Sequence, residues 1–167
     1  MMRLFSKRAN TALDEANRRL AASVTVDDVV VALTALARAS LGADGVTLVE
    51  RIGDDVAYVS EDAISPLWRG SRFPMRGCVS GMALLAGAPI VMADIRQDPR
   101  VPLHLYLSTF VRSMVMTPLD TRYAMGVYWR EAQPVPPTML ERIADIAAAA
   151  GAALARIGSA GPLRSVA

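Results

Sequence analysis

Cysteine is nearly missing from this 167-residue chain: Cys78 is the only one, so an internal disulfide and a cysteine-rich metal site are both excluded. Packing must hold the fold by itself. Lysine is represented by Lys7 alone, and the other basic residues are arginines strewn along the chain against 16 acids, for a formal charge of +2. No basic stripe forms, which argues against nucleic acid as the partner. Long apolar runs are missing as well. The longest, residues 146–154, is rich in alanine and gives way to Arg156, short of the roughly 20 strongly apolar residues that cross a bilayer. Residues 1–8 lack the apolar stretch of a signal peptide. These features lead us to expect a cytoplasmic protein that does not engage membranes. The sequence also shows no carboxylate pair and no Ser-His-Asp set, and residues 77–81 have neither the lysine nor the strand-loop setting of a phosphate-binding loop. We therefore expect neither a catalytic residue nor a metal site.

What is present is globular material, 53% hydrophobic and 20% charged, which excludes disorder as the overall state. Residues 9–22 read as a mostly polar helix with Leu13 and Leu20 on a narrow apolar stripe. Thr25 is placed to cap the amide of Asp28, and Val26, Val29, Val30, Leu33, Leu36 and Ala37 then keep the helical period up to a stop at Gly42. Residues 45–51 and 56–60 read as a hairpin turning through Gly53-Asp54-Asp55. Residues 61–76 have no period; they read as a loop carrying Trp68, Phe73, Arg69, Arg72 and Arg76. A short helix over 78–85, a strand over 89–92 and a second short helix over 102–110 follow. Two strands, 113–119 and 124–129, precede a last helix that Thr138 and Glu141 would open with a capping box. Leu140, Ile143, Ala147, Ala150, Leu154 and Ile157 line one seam of that helix. Residues 158–167 read as a flexible tail. The pattern predicts one α+β domain on an antiparallel sheet.

One string, Gly77-Cys-Val-Ser-Gly-Met-Ala-Leu-Leu-Ala-Gly-Ala-Pro-Ile-Val-Met-Ala-Asp-Ile-Arg-Gln-Asp-Pro-Arg-Val-Pro102, resembles the core of GAF domains, where a short helix turns through Gly-x-Pro into a strand and an Asp-containing loop. Phe110-Val-Arg-Ser-Met-Val-Met-Thr-Pro-Leu119 and Met125-Gly-Val-Tyr-Trp129 resemble the two strands that follow in that family. The resemblance covers residues 25–157, with residues 1–24 as a helix in front. It implies a GAF/PAS-like fold: an antiparallel sheet of about five strands flanked by helices, the N- and C-terminal helices packed on one face. The family often joins parallel helices of two chains into a bundle. On that basis Leu13, Leu20, Leu140, Ile143, Ala147, Ala150, Leu154 and Ile157 are expected at a homodimer interface. The chain is similar to a detached input module of a bacterial sensor histidine kinase or another signalling protein. A small-molecule ligand and a signalling partner are then expected. The rival expectation is a structural dimerisation or protein-interaction module with a collapsed, ligandless pocket.

GAF subclasses with known chemistry leave recognisable residues. Free methionine sulfoxide reductases in the family need several cysteines, and Cys78 alone cannot form the disulfide of their cycle. The Asn-Lys-x-x-Phe signature of cyclic-nucleotide binders is missing, and Cys78 is followed by Val79 rather than the histidine of the bilin-attaching subclass. The cofactor is left open. Expected ligand-site residues are Trp68, Phe73, Cys78, Asp94, His104, Tyr106, Phe110, Arg112 and Met116. Each has a plainer alternative. Cys78 is a redox-sensitive thiol or a small core residue, and His104 is a ligand contact or a surface side chain. Arg69, Arg72, Arg76 and Arg112 receive an anion or are solvated charges. The aromatic residues line a pocket or close the core.

Overall fold

The computed structural model describes residues 2–159, with side chains described from residue 7. Its elements are α1 (Met2–Ala22), α2 (Val26–Leu41), β1 (Gly45–Ile52), β2 (Asp55–Ala63), β3 (Arg72–Pro74), a 3-10 turn Met75–Gly77, α3 (Val79–Ala86), β4 (Ile90–Met92), a second 3-10 turn Leu103–Leu105, β5 (Ser113–Pro118), β6 (Tyr123–Trp129) and α4 (Pro137–Ser159). The strands form one antiparallel sheet in the order β3-β2-β1-β6-β5-β4.

Most boundaries follow local chemistry. Thr25 Oγ1 accepts the Asp28 amide at 3.1 Å while the Asp28 carboxylate accepts the Thr25 amide at 2.9 Å, so two amides at the start of α2 are satisfied. Gly42 ends α2 at φ 57°, and Gly87 ends α3 at φ 63°, conformations that an L side chain resists. Three expectations are corrected. The helix expected over 102–110 is one 3-10 turn, Leu103–Leu105, after which the chain breaks into turns. The last helix begins at Pro137, whose lack of an N–H costs nothing in a first turn; Thr138 is therefore already inside α4 and is not its cap. A sixth strand, β3, lies within the stretch that has no sequence period, because three residues are too few to show one. Of the tail expected over 158–167, Gly158 and Ser159 belong to α4, and residues 160–167 lie outside the described residues.

Both faces of the sheet are apolar and both are covered. All seven residues of β6 are buried. Val46, Leu48, Val115, Met125, Val127 and Trp129 face α1, α2 and α4, whereas Val49, Met114, Met116, Ala124 and Tyr128 belong to a second core under α3 and the loops. A bulge makes β2 serve both sides. Leu48 pairs with Ser60 and Val49 with Tyr58, so Val59 has no partner, and the side-chain alternation reverses there. Val56 and Tyr58 consequently join the loop-side core. Ser60 meets Thr34 of α2 at 2.6 Å and Asp62 meets Arg38 at 2.9 Å.

Helix α1 packs along α2 and α4. Arg142 donates to Asn10 Oδ1 at 2.8 Å, and fourteen residues later Arg156 donates to the Ser23 carbonyl at 2.7 Å, so α1 and α4 run parallel. Of the residues expected at a dimer seam, Leu20, Ile143, Ala147, Ala150 and Leu154 are buried in the core of one chain, with Leu13, Leu140 and Ile157 packed partly buried against it, because α1 lies along α4.

Gly81 tests the packing of α3. A Cβ there would stand 1.9 Å from the Met75 carbonyl oxygen, a backbone atom with no free rotation to escape. Alanine would gain up to about 1 kcal/mol of helix propensity, but the clash costs about 1–3 kcal/mol and decides the sign. Gly81→Ala should lower the urea midpoint, and an unchanged or raised midpoint would contradict this contact.

Candidate functional site

The loop-side core is centred on an indole. The ring of Trp68 lies 5.4 Å from Tyr58, 4.9 Å from Tyr106 and 5.5 Å from Tyr128, tilted or edge-on to each, the arrangement that ring quadrupoles favour. Phe73 adds an edge contact to Tyr58 at 5.7 Å. Trp68 belongs to no helix or strand; its position depends on Glu61. The Glu61 carboxylate accepts the amides of Leu67, Trp68 and Arg69 at 3.1, 3.0 and 2.9 Å, three charge-assisted bonds that pull the loop onto the end of β2. The indole N–H then donates to the Leu105 carbonyl at 3.1 Å, fastening the 64–71 segment to the Leu103–Leu105 turn.

A string of hydroxyls runs beneath the rings. Tyr58 Oη lies 3.3 Å from Ser80 Oγ, which lies 3.3 Å from Cys78 Sγ. The Cys78 thiol donates to the Pro74 carbonyl at 3.4 Å. Tyr128 Oη meets Thr47 Oγ1 at 2.9 Å, and the phenol lies flat only because residue 126 is glycine. A Cβ at Gly126 would stand 2.1 Å from Tyr128 Oη and 2.7 Å from Thr47 Oγ1. Met75, Met92, Met114 and Met116 complete the filling. Four surface concavities lie among α1, α2, α4, the β1–β2 hairpin and the Met75–Gly77 turn, and none of the four is lined by Trp68, Tyr106 or Tyr128.

No family model matches the sequence, and no curated protein is significantly similar to it. Solved structures are similar over nearly the whole chain. A GAF domain from a phosphoenolpyruvate-protein phosphotransferase of Coxiella burnetii aligns with a TM-score of 0.79 over 95% of this chain and 99% of that one, at 13% identity. The fold is that of a GAF domain. A phycocyanobilin-bound GAF domain from a cyanobacterial phytochrome aligns with a TM-score of 0.74 over 92% of this chain and 97% of that one, at 21% identity. The free methionine-R-sulfoxide reductase of Neisseria meningitidis, in complex with its substrate, aligns at 0.75 over 91% of each chain, at 15% identity. Identities this low establish the fold, which hosts regulatory, chromophore-binding and enzymatic proteins alike.

Within this GAF fold the expected site residues divide into groups. Trp68, Tyr106, Cys78 and Met116 meet in the loop-side core, with Phe73 and Phe110 packed against its margin. Asp94 and Arg112 form an ion pair at 3.2 Å between partly exposed side chains. Backbone donation from Arg96 and then the Arg112 side chain hold the Asp94 carboxyl below the usual range, while Arg112 Nε is buried without a hydrogen-bond partner among the described residues. His104 is exposed on the Leu103–Leu105 turn, outside the core. The four arginines do not converge. Arg72 pairs with Asp55 at the hairpin end of the sheet, and Arg112 precedes β5 at the other end, where Ser113 faces Trp129. Arg69 and Arg76 are exposed. No three or more His, Cys, Asp or Glu side chains gather to hold a metal among the described residues, and no described helix is long and apolar enough to cross a membrane.

Sequence reasoning missed Tyr58, Tyr128, Ser80, Thr47 and, above all, Glu61. The tyrosines alternate with apolar neighbours like any strand residue. Glu61 stands in a segment without period, and nothing local marks a carboxylate that will accept amides six to eight residues ahead.

Burial raises the phenol pKa of Tyr58, Tyr106 and Tyr128 well above its ordinary value. Their folded-state values exceed the unfolded one, so their contribution to stability is complete below about pH 10 and is lost as pH rises through the folded values. Three such groups steepen the loss to at most about 4 kcal/mol per pH unit. In an alkaline titration followed at 295 nm, these three of the four tyrosines should ionise together with unfolding. Gradual ionisation of all four in folded protein would contradict a closed aromatic core.

Proposed function

We propose that this chain is a non-enzymatic regulatory GAF domain whose loop-side interior responds to a small molecule and whose helical side passes the response to a partner. The observation that carries this reading is the unequal construction of the two cores. The helical core is held by α1, α2 and α4, whereas the largest side chain at the centre of the other stands on a loop that, between main-chain bonds at its two ends, is fastened through one carboxylate and one indole N–H. A ligand shifts such a domain only by binding its two arrangements differently, and a loop-borne core offers a second arrangement at lower cost than a helix-borne one. The phycocyanobilin-bound neighbour supports a small molecule as the input.

The partner we assign is a second copy of this chain, together with a signalling protein. Since the inner seam of α4 is already covered, contact between copies uses its outward residues, among them Ala144, Ala148, Ala152 and Ala155, all exposed.

A second reading has its own observation: Trp68 and the three tyrosines already fill the interior, as in a purely structural interaction module with a collapsed pocket. Native mass spectrometry of the purified full chain separates the two. We expect a dimer carrying additional, non-covalent mass. A dimer of bare chains favours the structural module, and a bare monomer overturns the helix-mediated contact.

A further inference from the structure

The loop-side core is the one whose central side chain stands on a loop. Met75, Met92, Met114 and Met116 are each at most 4% exposed within it, and unbranched methionine refills an altered space more readily than branched aliphatic side chains do. Around these methionines the tyrosines and Cys78 are fixed on β2, β6, α3 and the turns, while Trp68 alone stands on the 64–71 segment between β2 and β3. Main-chain bonds from Ile64 to the Asp44 carbonyl, from Gly70 to the Tyr58 carbonyl and from Tyr58 to the Ser71 carbonyl pin the two ends of that segment, and between those ends Glu61 and the Leu105 carbonyl hold residues 67–69 through four hydrogen bonds.

We infer that Trp68 is a displaceable plug: when residues 65–69 swing away between their pinned ends, a neutral, planar heteroaromatic molecule of about indole size, bearing a ring N–H, takes its place. This rests on the small-molecule reading above and names the ligand class of that same interior. The class follows from what Trp68 touches. The Leu105 carbonyl loses its donor when the indole leaves, and a buried acceptor without a partner is costly, so the incoming molecule supplies an N–H. The rings of Tyr58, Tyr106 and Tyr128, at 4.9–5.5 Å and edge-on or tilted, fit a flat ring system of the same width. Hydroxyls of Tyr58, Ser80, Tyr128 and Thr47 and the Cys78 thiol supply the buried polar atoms nearby, and none offers a counter-charge. A charged ligand would be desolvated without compensation. The Glu61 carboxylate at the loop base repels an anion further, and the space of one indole does not hold a tetrapyrrole.

Because the closed form dominates, apparent affinity falls by the fraction of protein that is open. Loosening the strap must therefore tighten binding.

The test uses the full chain labelled with 15N and free indole as the probe. Two indole N–H signals arise, from Trp68 and Trp129, and Trp68→Phe assigns them. Indole should move the Trp68 signal to the position of a solvated side chain and leave that of Trp129, which donates to the Gly42 carbonyl, in place. Glu61→Gln keeps an acceptor but removes the charge, and should bind indole about tenfold more tightly than the wild type. In Trp68→Ala, indole should raise Tm, while benzene, which has no N–H, and the anion indole-3-acetate should do so less. If that variant does not fold, the wild-type and Glu61→Gln titrations carry the test alone. A Trp68 signal that stays put at saturating indole in both proteins overturns the inference. Should benzene or the anion release Trp68 while indole does not, the ligand class is wrong and the small-molecule reading survives. If no probe releases it, both fail.

Discussion

An antiparallel sheet that is apolar on both faces cannot leave either one in water, and every other feature of this chain answers that demand. Burying one face requires about as much covering surface as the other, but the chain supplies the two covers by different means. One side receives three helices whose leucines, isoleucines and alanines recur at helical spacing. The other receives α3, two 3-10 turns and irregular segments, whose backbone groups must find partners one at a time.

That difference in means is the ground on which we propose the second side as the place for function. A helix layer moves as a body, because its hydrogen bonds are internal and its seam is continuous. A cover made of segments has separate fastenings. In the 64–71 segment main-chain bonds to Asp44 and Tyr58 pin the two ends, and between them the Glu61 carboxylate and the Trp68 indole N–H are the fastenings; the side chain they hold is the centre of an aromatic cluster. The hydroxyls beneath it are satisfied by one another, so the core is closed without any charged group inside it.

The bulge at Val59 ties the two sides together. Without the bulge, with Val59 paired in regular alternation, Ser60 and Asp62 would follow Tyr58 into the loop-side core as buried polar groups lacking their partners on α2. With it, β2 contributes Tyr58 to one core and anchors α2 with the next residues. The same strand then ends at Glu61 and its neighbours, so the latch and the helix anchors share a few residues of backbone.

Much of this was legible in the sequence because its causes are local. The Thr25–Asp28 capping box, the stops at Gly42 and Gly87, the hairpin around Gly53 and the alternating strands near the C-terminus all depend on residues within a few positions of each other. The motif between Gly77 and Pro102 pointed to the fold that the structure shows. Trp68, Tyr106, Cys78 and Met116, expected at a ligand site, meet in one core, but their surroundings were not legible. Whether an aromatic residue lines a space or fills it depends on groups outside its own segment, such as the Leu105 carbonyl 37 positions from Trp68. The seam of Leu20, Ile143 and Leu154 posed the same problem: an apolar stripe specifies that it will be buried, not by whom, and only the path of α1 back along α4 decided that the partner is the same chain. The sequence by itself determined which residues leave water and where the backbone turns. Tertiary structure alone decided what each buried face meets, because contact between distant segments carries no period and no local signal.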